Sequence, residues 1–182
     1  MTQTVQDLLR EGGYILYARH GEATVGEDQP YLNFQYCYTQ KNLSQTGREE
    51  AVYYGQLLRY WQIPISIPIN ASPFCRTIET ATLAFPYAPI QVNPFWLEIY
   101  KLSGQLSEAE HTLILTNLQL LLEMKPPPGA NIVIIAHSFP TGIGLGEIPN
   151  MGTVIIKPRG QGNGFEMVRK LSLAELANLG TV

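Results

Sequence analysis

The segment NIVIIAH, residues 131–137, constrains the fold of this chain more than any other stretch of its sequence. Its apolar residues, Ile132 to Ala136, follow one another without the alternation that marks a strand with one face in water. A strand of this kind is buried on both faces, which is typical of a parallel sheet covered by helices. We therefore predict a central sheet strand here and an α/β fold around it.

Strand-like and helix-like segments alternate along the rest of the chain. Strands are predicted in 14–18, 65–71, 90–95 and 132–136, and a hairpin in 153–158 with 165–171. Helices are predicted in 4–11, 46–61, 72–84 and 107–124, with a short one from Ser172. Residues 21–42 have no clear period and are predicted to be a long ordered loop. This order predicts a three-layer α/β/α fold with a mostly parallel mixed sheet, in a single domain spanning residues 1–182.

Capping motifs mark where two of these helices begin. Thr46 with Glu49, and Ser107 with Glu110, have the spacing of a capping box. Ser72 followed by Pro73 suits the cap and first position of a third helix.

Composition excludes several classes of protein. An apolar fraction of 45% in 182 residues is enough for one core without disulfides or a structural metal. A net charge of −3 argues against nucleic acid as the main partner. The two cysteines, Cys37 and Cys75, are too few for a disulfide framework or a four-cysteine zinc site.

The sequence also bears on location. No apolar run approaches the length that spans a membrane, so no membrane partner is predicted. The first residues, MTQTVQDLLREGG, lack the basic segment and apolar core of a signal peptide. We therefore expect a soluble, cytoplasmic protein, and the sequence carries no prediction of its oligomeric state.

Polar residues of a particular kind follow four of the predicted strands. His20 and His137 come directly after their strands, and Arg76 and Glu98 follow theirs a few residues on. Ligands of open α/β sheets bind outside the carboxyl ends of the strands. We therefore expect these side chains, together with Arg19, to converge at one edge of the sheet.

These residue types together favour phosphoryl transfer. Arginine offers a fork of donors that suits phosphate oxygens. A histidine among cations is kept neutral, and a neutral imidazole is a usable nucleophile. A glutamate facing a phosphate dianion is pushed toward protonation and could give its proton to a leaving oxygen. The set predicts that a phosphoryl group is transferred to a histidine.

The segment LYARHGEA, residues 16–23, resembles the Arg-His-Gly signature of the histidine phosphatase superfamily, also called phosphoglycerate-mutase-like. Further segments resemble others of that family, in the family's order and over most of the chain. They are NLSQTGREEA (42–51), NASPFCRTIETA (70–81), FWLEIYKLSG (95–104), VIIAHS (133–138) and IPNMGTVII (148–156).

The resemblance implies a role for each residue that would hold the phosphate. His20 is the nucleophile that carries a phosphohistidine, while Arg19, Arg76 and His137 bind the phosphate. His137 thus counts both as a catalytic and as a phosphate-binding residue. Gly21 lets the backbone pass close to the phosphate.

The resemblance also implies a proton donor. Glu98 is the general acid and later the base that activates water, with Glu22 as its main rival. Ser72 is expected to hold local structure around Arg76 rather than to react. The predicted substrate is a small phosphorylated molecule, and no cofactor is implied.

Other functions remain open at this stage. A phosphoglycerate-type mutase is one, although 12 lysines and arginines in total favour hydrolysis of a less densely charged ester. A catalytically weak phosphate-binding module is another, because Gly26 and Ser138 depart from residues common in the family. His20, His137 and Glu98 also match a zinc triad in residue type, but two arginines beside them would repel the cation, so no metal is predicted.

Overall fold

Strand β1, Ile15–Arg19, lies inside a six-stranded sheet. The other strands of this sheet are β4 Ile69–Ala71, β5 Ile90–Val92, β6 Ile132–Ala136, β7 Thr153–Pro158 and β8 Phe165–Leu171. Their order across the sheet is β5-β4-β6-β1-β7-β8. The structure, a computed structural model, describes residues 3–180, so the two residues at each end of the predicted domain lie outside it. β1 pairs in parallel with β6 and antiparallel with β7. β4 pairs in parallel with both β5 and β6, and β7 with β8 forms the predicted hairpin. The mostly parallel mixed sheet is therefore confirmed.

Strands β6, β7 and β8 have the predicted bounds, and β1 is shifted by one residue. Strands β4 and β5 are shorter than the segments that predict them. A separate two-stranded ribbon joins β2 Ala23–Val25 to β3 Asn42–Leu43. The ribbon and a short 3-10 helix, Cys37–Thr39, give the long predicted loop regular structure of its own.

Helices cover both faces of the sheet. They are α1 Val5–Glu11, α2 Gln45–Tyr60, α3 Cys75–Ala84, α4 Phe95–Lys101, α5 Glu108–Leu122 and α6 Leu173–Ala177. The side chains of alternate residues of β1 point to opposite faces of the sheet, where they pack in two separate hydrophobic cores. Leu16 packs with α1, α2, α3 and α6, and Tyr17 packs with α4 and α5 on the other face. The predicted three layers are confirmed.

Two helix starts differ from the sequence prediction. The side chain of Ser44, not Thr46, caps α2 by accepting a hydrogen bond from the Gly47 amide. The third helix begins at Cys75 rather than at Ser72. The backbone amide of Ser72 donates a hydrogen bond to Ile135 O and so continues the sheet instead of entering the helix. The capping box of Ser107 and Glu110 forms as predicted.

A disulfide joins Cys37 to Cys75, with their Cα atoms 5.8 Å apart and a sequence separation of 38. The sequence interpretation treated these cysteines as too few for a framework and foresaw no bond between them. The disulfide ties the segment between β2 and β3 to the first residue of α3. That connection matters because the residue following Cys75 is Arg76.

Among residues 3–180, no helix combines the length and the apolar character needed to cross a membrane.

Candidate active site

His20 and His137 lie side by side because the two strands that precede them are parallel neighbours. Arg19 at the end of β1 is in register with Ala136 at the end of β6, and the His20 amide donates to Ala136 O. The two imidazole rings have their centroids 5.7 Å apart. Both side chains are buried, at the floor of a cavity of about 460 Å³. The sheet itself therefore brings together the two histidines that the sequence predicted.

The hydrogen bonding of His20 decides which ring nitrogen can react. Nδ1 lies 2.7 Å from Gly21 O, and since a carbonyl oxygen only accepts, Nδ1 carries the proton. Nε2 is then the unprotonated nitrogen. Burial, followed by the charge of Arg76, lowers the pKa of His20 to about 3, so the ring is neutral near pH 7.

His137 is held by two hydroxyl groups. Its Nε2 lies 2.8 Å from Ser72 Oγ, and the Tyr17 hydroxyl donates to His137 O at 2.8 Å. Burial, with the nearby His20 ring and Arg76, lowers the pKa of His137 well below its ordinary value. Ser72 was expected to support Arg76, but its hydroxyl supports His137 instead.

The two predicted arginines line the same cavity. Arg76, in the first turn of α3, is buried and stacks over the Phe74 ring at 4.1 Å. Arg19 donates through Nη1 to Ile148 O at 3.0 Å, which fixes its guanidinium beside the histidines. Burial and the charge of Arg76 lower the pKa of Arg19. A guanidinium stays charged in proteins even so, and these two arginines make the floor electropositive.

Gly21 lies where the backbone after β1 passes close to the backbone of α2. A Cβ at Gly21 would lie 2.3 Å from Gly47 O, so the glycine lets the chain after β1 cross against the start of α2. Its amide donates to Thr80 Oγ1 at 3.2 Å and is therefore used within the protein. Gly21 is absent from the cavity lining, so the structure does not place it against a phosphate.

Glu98 is not brought to the cavity. The strand before it ends at Val92, and only Asn93 and Pro94 separate that strand from the start of α4 at Phe95. This helix points Tyr100 into the cavity and leaves Glu98 in an ion pair with Lys101, at 2.8 Å. The zinc arrangement of His20, His137 and Glu98 is not formed either, and residues 3–180 contain no metal-holding group of three such side chains.

Among the cavity residues that were not foreseen as site residues, three have titratable side chains. Asp28 and Lys41 come from the segment between β2 and β3, and Tyr100 comes from α4. Glu22, the rival to Glu98, also lines the cavity. The sequence around Asp28 has no periodic pattern that predicts where its side chain lies. The only signal for a site residue was that a carboxylate stands in the long loop that follows the Arg-His-Gly segment.

No family model matches the sequence, and no curated protein matches it either. Solved structures do resemble it. Phosphoserine phosphatase from Entamoeba histolytica, solved with 3-phosphoglyceric acid, aligns with a TM-score of 0.58 and 19% identity, over 90% of this chain and 98% of that one. The protein histidine phosphatase SixA, solved with tungstate, gives 0.56 and 16%, over 90% and 99%. The chain has the fold of the histidine phosphatases.

A third similar structure is a mycobacterial glucosyl-3-phosphoglycerate phosphatase solved with VO3. It aligns with a TM-score of 0.53 and 16% identity, over 80% of this chain and 92% of that one. At this level of identity the likeness is one of fold. The histidine phosphatase fold is the one that the resemblance of the sequence predicted, and all three of these similar structures are phosphatases.

Proposed function

We propose that the chain is a phosphomonoesterase, a phosphoric monoester hydrolase that works through a phosphohistidine on His20. The state of the His20 ring carries the proposal. Its Nδ1 proton is fixed on Gly21 O, and its Nε2 lone pair is free of a proton beside two guanidinium groups. A neutral imidazole next to fixed cations is suited to attack a phosphorus atom that those cations hold.

Arg19, Arg76 and His137 are the groups proposed to bind the phosphate. They line the same cavity as His20, and the two arginines can each present a planar fork to phosphate oxygens. The similar structures were solved with 3-phosphoglyceric acid, tungstate and VO3. By analogy with these anions, we propose a small phosphorylated substrate for this chain.

The proton donor is the least supported part of the sequence prediction. Glu98 would have to leave Lys101 and turn out of α4 to reach a substrate in the cavity. Glu22 lines the cavity, but its Oε1 accepts a hydrogen bond from Ser44 Oγ at 2.7 Å. That Glu98 or Glu22 is the proton donor stays a prediction. The position of Glu98 outside the cavity lining argues against that role for Glu98.

Hydrolysis is favoured over a mutase reaction by the cations that line the cavity. Among the described lining residues, Lys41 is the only cation besides Arg19 and Arg76. If the two arginines bind one phosphate, Lys41 is the single cation left to bind the second phosphate of a bisphosphate intermediate among these lining residues. A binding module without turnover has no specific observation in its favour, because the proposed nucleophile and the proposed phosphate ligands line one cavity.

The disulfide bears on the predicted location. Disulfides persist in oxidising compartments and are rare in the cytosol of most organisms. The cytoplasmic location therefore remains a prediction, and the bond between Cys37 and Cys75 counts against it. Trapping free thiols by alkylation in fractionated cells tests it: the cytoplasmic prediction requires both thiols to be labelled in the cytosolic fraction.

A screen of phosphate release tests the proposed function. Purified protein is assayed on p-nitrophenyl phosphate and a panel of small phosphomonoesters, with His20→Ala as the control. We expect wild-type release of phosphate and none above background from the variant. Activity of His20→Ala equal to wild type would remove His20 from the reaction. Interconversion of phosphoglycerates without phosphate release would favour the mutase.

A further inference from the structure

Among residues 3–180, two carboxylates line the cavity, and they have different hydrogen-bond partners. Glu22 is bonded to Ser44, the residue that caps α2, so its carboxylate takes part in positioning that helix. Asp28 lies on the segment between β2 and β3, at the mouth of the cavity, with its side chain 17% exposed. His20, by contrast, is buried at the floor.

Asp28 occupies the fork of Arg76. Its Oδ1 accepts from Arg76 Nη1 at 2.9 Å, and its Oδ2 accepts from Arg76 Nη2 at 3.2 Å. The Lys41 amide also donates to Oδ1 at 2.9 Å, and the Tyr100 hydroxyl donates to Oδ2 at 3.2 Å. Burial would raise the pKa of Asp28, but the hydrogen bonds from Arg76 and Lys41 hold it below its ordinary value.

A phosphate bound to Arg76 must compete with this carboxylate. The paired N–H donors of a guanidinium suit a phosphate as well as a carboxylate, so the substrate can take the place of Asp28 on the fork. Asp28 then loses the two bonds that favour its charge and faces a phosphate dianion at close range. Both changes favour the protonated form of a carboxyl group. The Lys41 amide and Tyr100 can still hold the displaced side chain beside the phosphate.

Resting on the proposed function, we propose that Asp28 is the catalytic acid that protonates the leaving oxygen. As the phosphate displaces it, the carboxyl group takes a proton from solvent. The Nε2 lone pair of His20 forms the N–P bond, the P–O bond to the leaving group breaks, and Asp28 gives its proton to that oxygen. The alcohol departs, and Asp28 is left as a carboxylate.

The second half of the reaction reverses these roles. Asp28 accepts a proton from a water molecule while the water oxygen bonds to phosphorus. The N–P bond breaks and returns its electron pair to Nε2, so His20 is again neutral. In-line transfer needs the nucleophile and the leaving group on opposite sides of phosphorus. The proposal requires the phosphate to lie between the buried His20 and the more exposed Asp28, both of which line the cavity.

The test compares leaving groups of different basicity. Asp28→Asn is assayed on p-nitrophenyl phosphate, whose leaving group needs little help, and on an alkyl phosphate, whose leaving group needs a proton. The comparison uses kcat/KM, which reports the half-reaction that releases the alcohol, because the later attack of water is common to both esters. Since general acid catalysis contributes at least about 100-fold, we expect kcat/KM on the alkyl ester to fall by about that factor and kcat/KM on the aryl ester by less than about tenfold. Glu27→Gln, an exposed neighbour on the same segment, is the matched control.

Binding of vanadate shows whether the variant still has an assembled site. Removal of the competing charge should leave the vanadate affinity of Asp28→Asn equal to or tighter than that of wild type. Equal losses on both esters, loss of vanadate binding, or full activity on the alkyl ester would each overturn the proposal. His20→Ala in the same assays separates the two claims, because its activity on the aryl ester would contradict the proposed function whatever Asp28→Asn does.

Discussion

Gly21 and Gly47 meet backbone against backbone. A Cβ on Gly21 would lie 2.3 Å from Gly47 O, and a Cβ on Gly47 would lie 2.1 Å from Glu22 O. This close approach sets the distance between the end of β1, which carries His20, and the start of α2. Gly47→Ala should therefore lower the free energy of unfolding by about 2 kcal/mol or more, because a methyl group pushed against backbone cannot be relieved by a side-chain rotation.

Gly104→Ala is the matched control for Gly47→Ala. Its Cβ would come no closer than 3.3 Å to Lys101 O, in an exposed turn. Chemical unfolding of the two variants gives the comparison. Equal stability of Gly47→Ala and wild type would mean that α2 can move away from β1 at little cost.

Breaking the disulfide should destabilise the protein and loosen the cavity mouth. The bond closes a loop with a sequence separation of 38 residues. Loop-closure entropy makes such a bond worth about 4 kcal/mol. Lys41, one of the residues that line the cavity, lies within this loop, so reduction should also raise KM.

The check is a melting curve and an activity assay with and without dithiothreitol. The Cys37→Ser/Cys75→Ser double variant is the control, since the reagent should not change it. If dithiothreitol does not change the melting temperature of the wild-type protein, the disulfide adds no stability.

Arg76→Lys should lower kcat/KM by about 100-fold, although the charge is kept. Lysine cannot present two parallel donors to a phosphate, and it lacks the planar face that stacks on Phe74. Arg48→Lys is the matched control, because Arg48 lies on the surface in an ion pair with Glu79. Steady-state kinetics on p-nitrophenyl phosphate measure both. Similar kinetics for Arg76→Lys and Arg48→Lys would mean that Arg76 acts only through its charge.

Stability should fall as the pH falls below about 6.5, the ordinary pKa of histidine. The pKa of His20 is lowered to about 3, and that of His137 is also lowered, so the unfolded chain binds protons that the folded chain does not. The free energy of unfolding then decreases by up to about 1.4 kcal/mol per pH unit for each histidine. Stability is retained above this range and lost progressively through it.

Urea unfolding at about pH 7 and about pH 5 measures this dependence, within a range where most carboxylates stay ionised. His20→Gln should show a shallower dependence than wild type, because one of the two groups is gone. If the free energy of unfolding depends on pH equally in wild type and His20→Gln, groups other than His20 cause the loss of stability in acid.

The sequence predicted those site residues that follow long sheet strands directly. Arg19, His20 and His137 come at or next to the ends of β1 and β6, whose continuous apolar runs leave little freedom in where they end. Arg76 was also placed correctly, although its helix starts later than predicted.

Prediction failed where a short element intervened. Glu98 was assigned to the end of a strand, but a helix of one or two turns, α4, rotates it away and turns Tyr100 inward. Asp28 was missed because its position depends on the ribbon and the disulfide. Tertiary contacts of this kind leave no periodic signal in the sequence. Gly21 was recognised, but its role depends on Gly47, which is distant in the chain.

The central claim is that His20 carries the phosphoryl group, and trapping the intermediate tests it most directly. Enzyme mixed with p-nitrophenyl phosphate is quenched in alkali, where phosphohistidine survives and phosphoserine is lost, and its peptides are weighed. The account predicts one added phosphoryl group on the peptide that contains His20, and none in His20→Ala. A phosphoryl group on another residue, or steady turnover by His20→Ala, would contradict it.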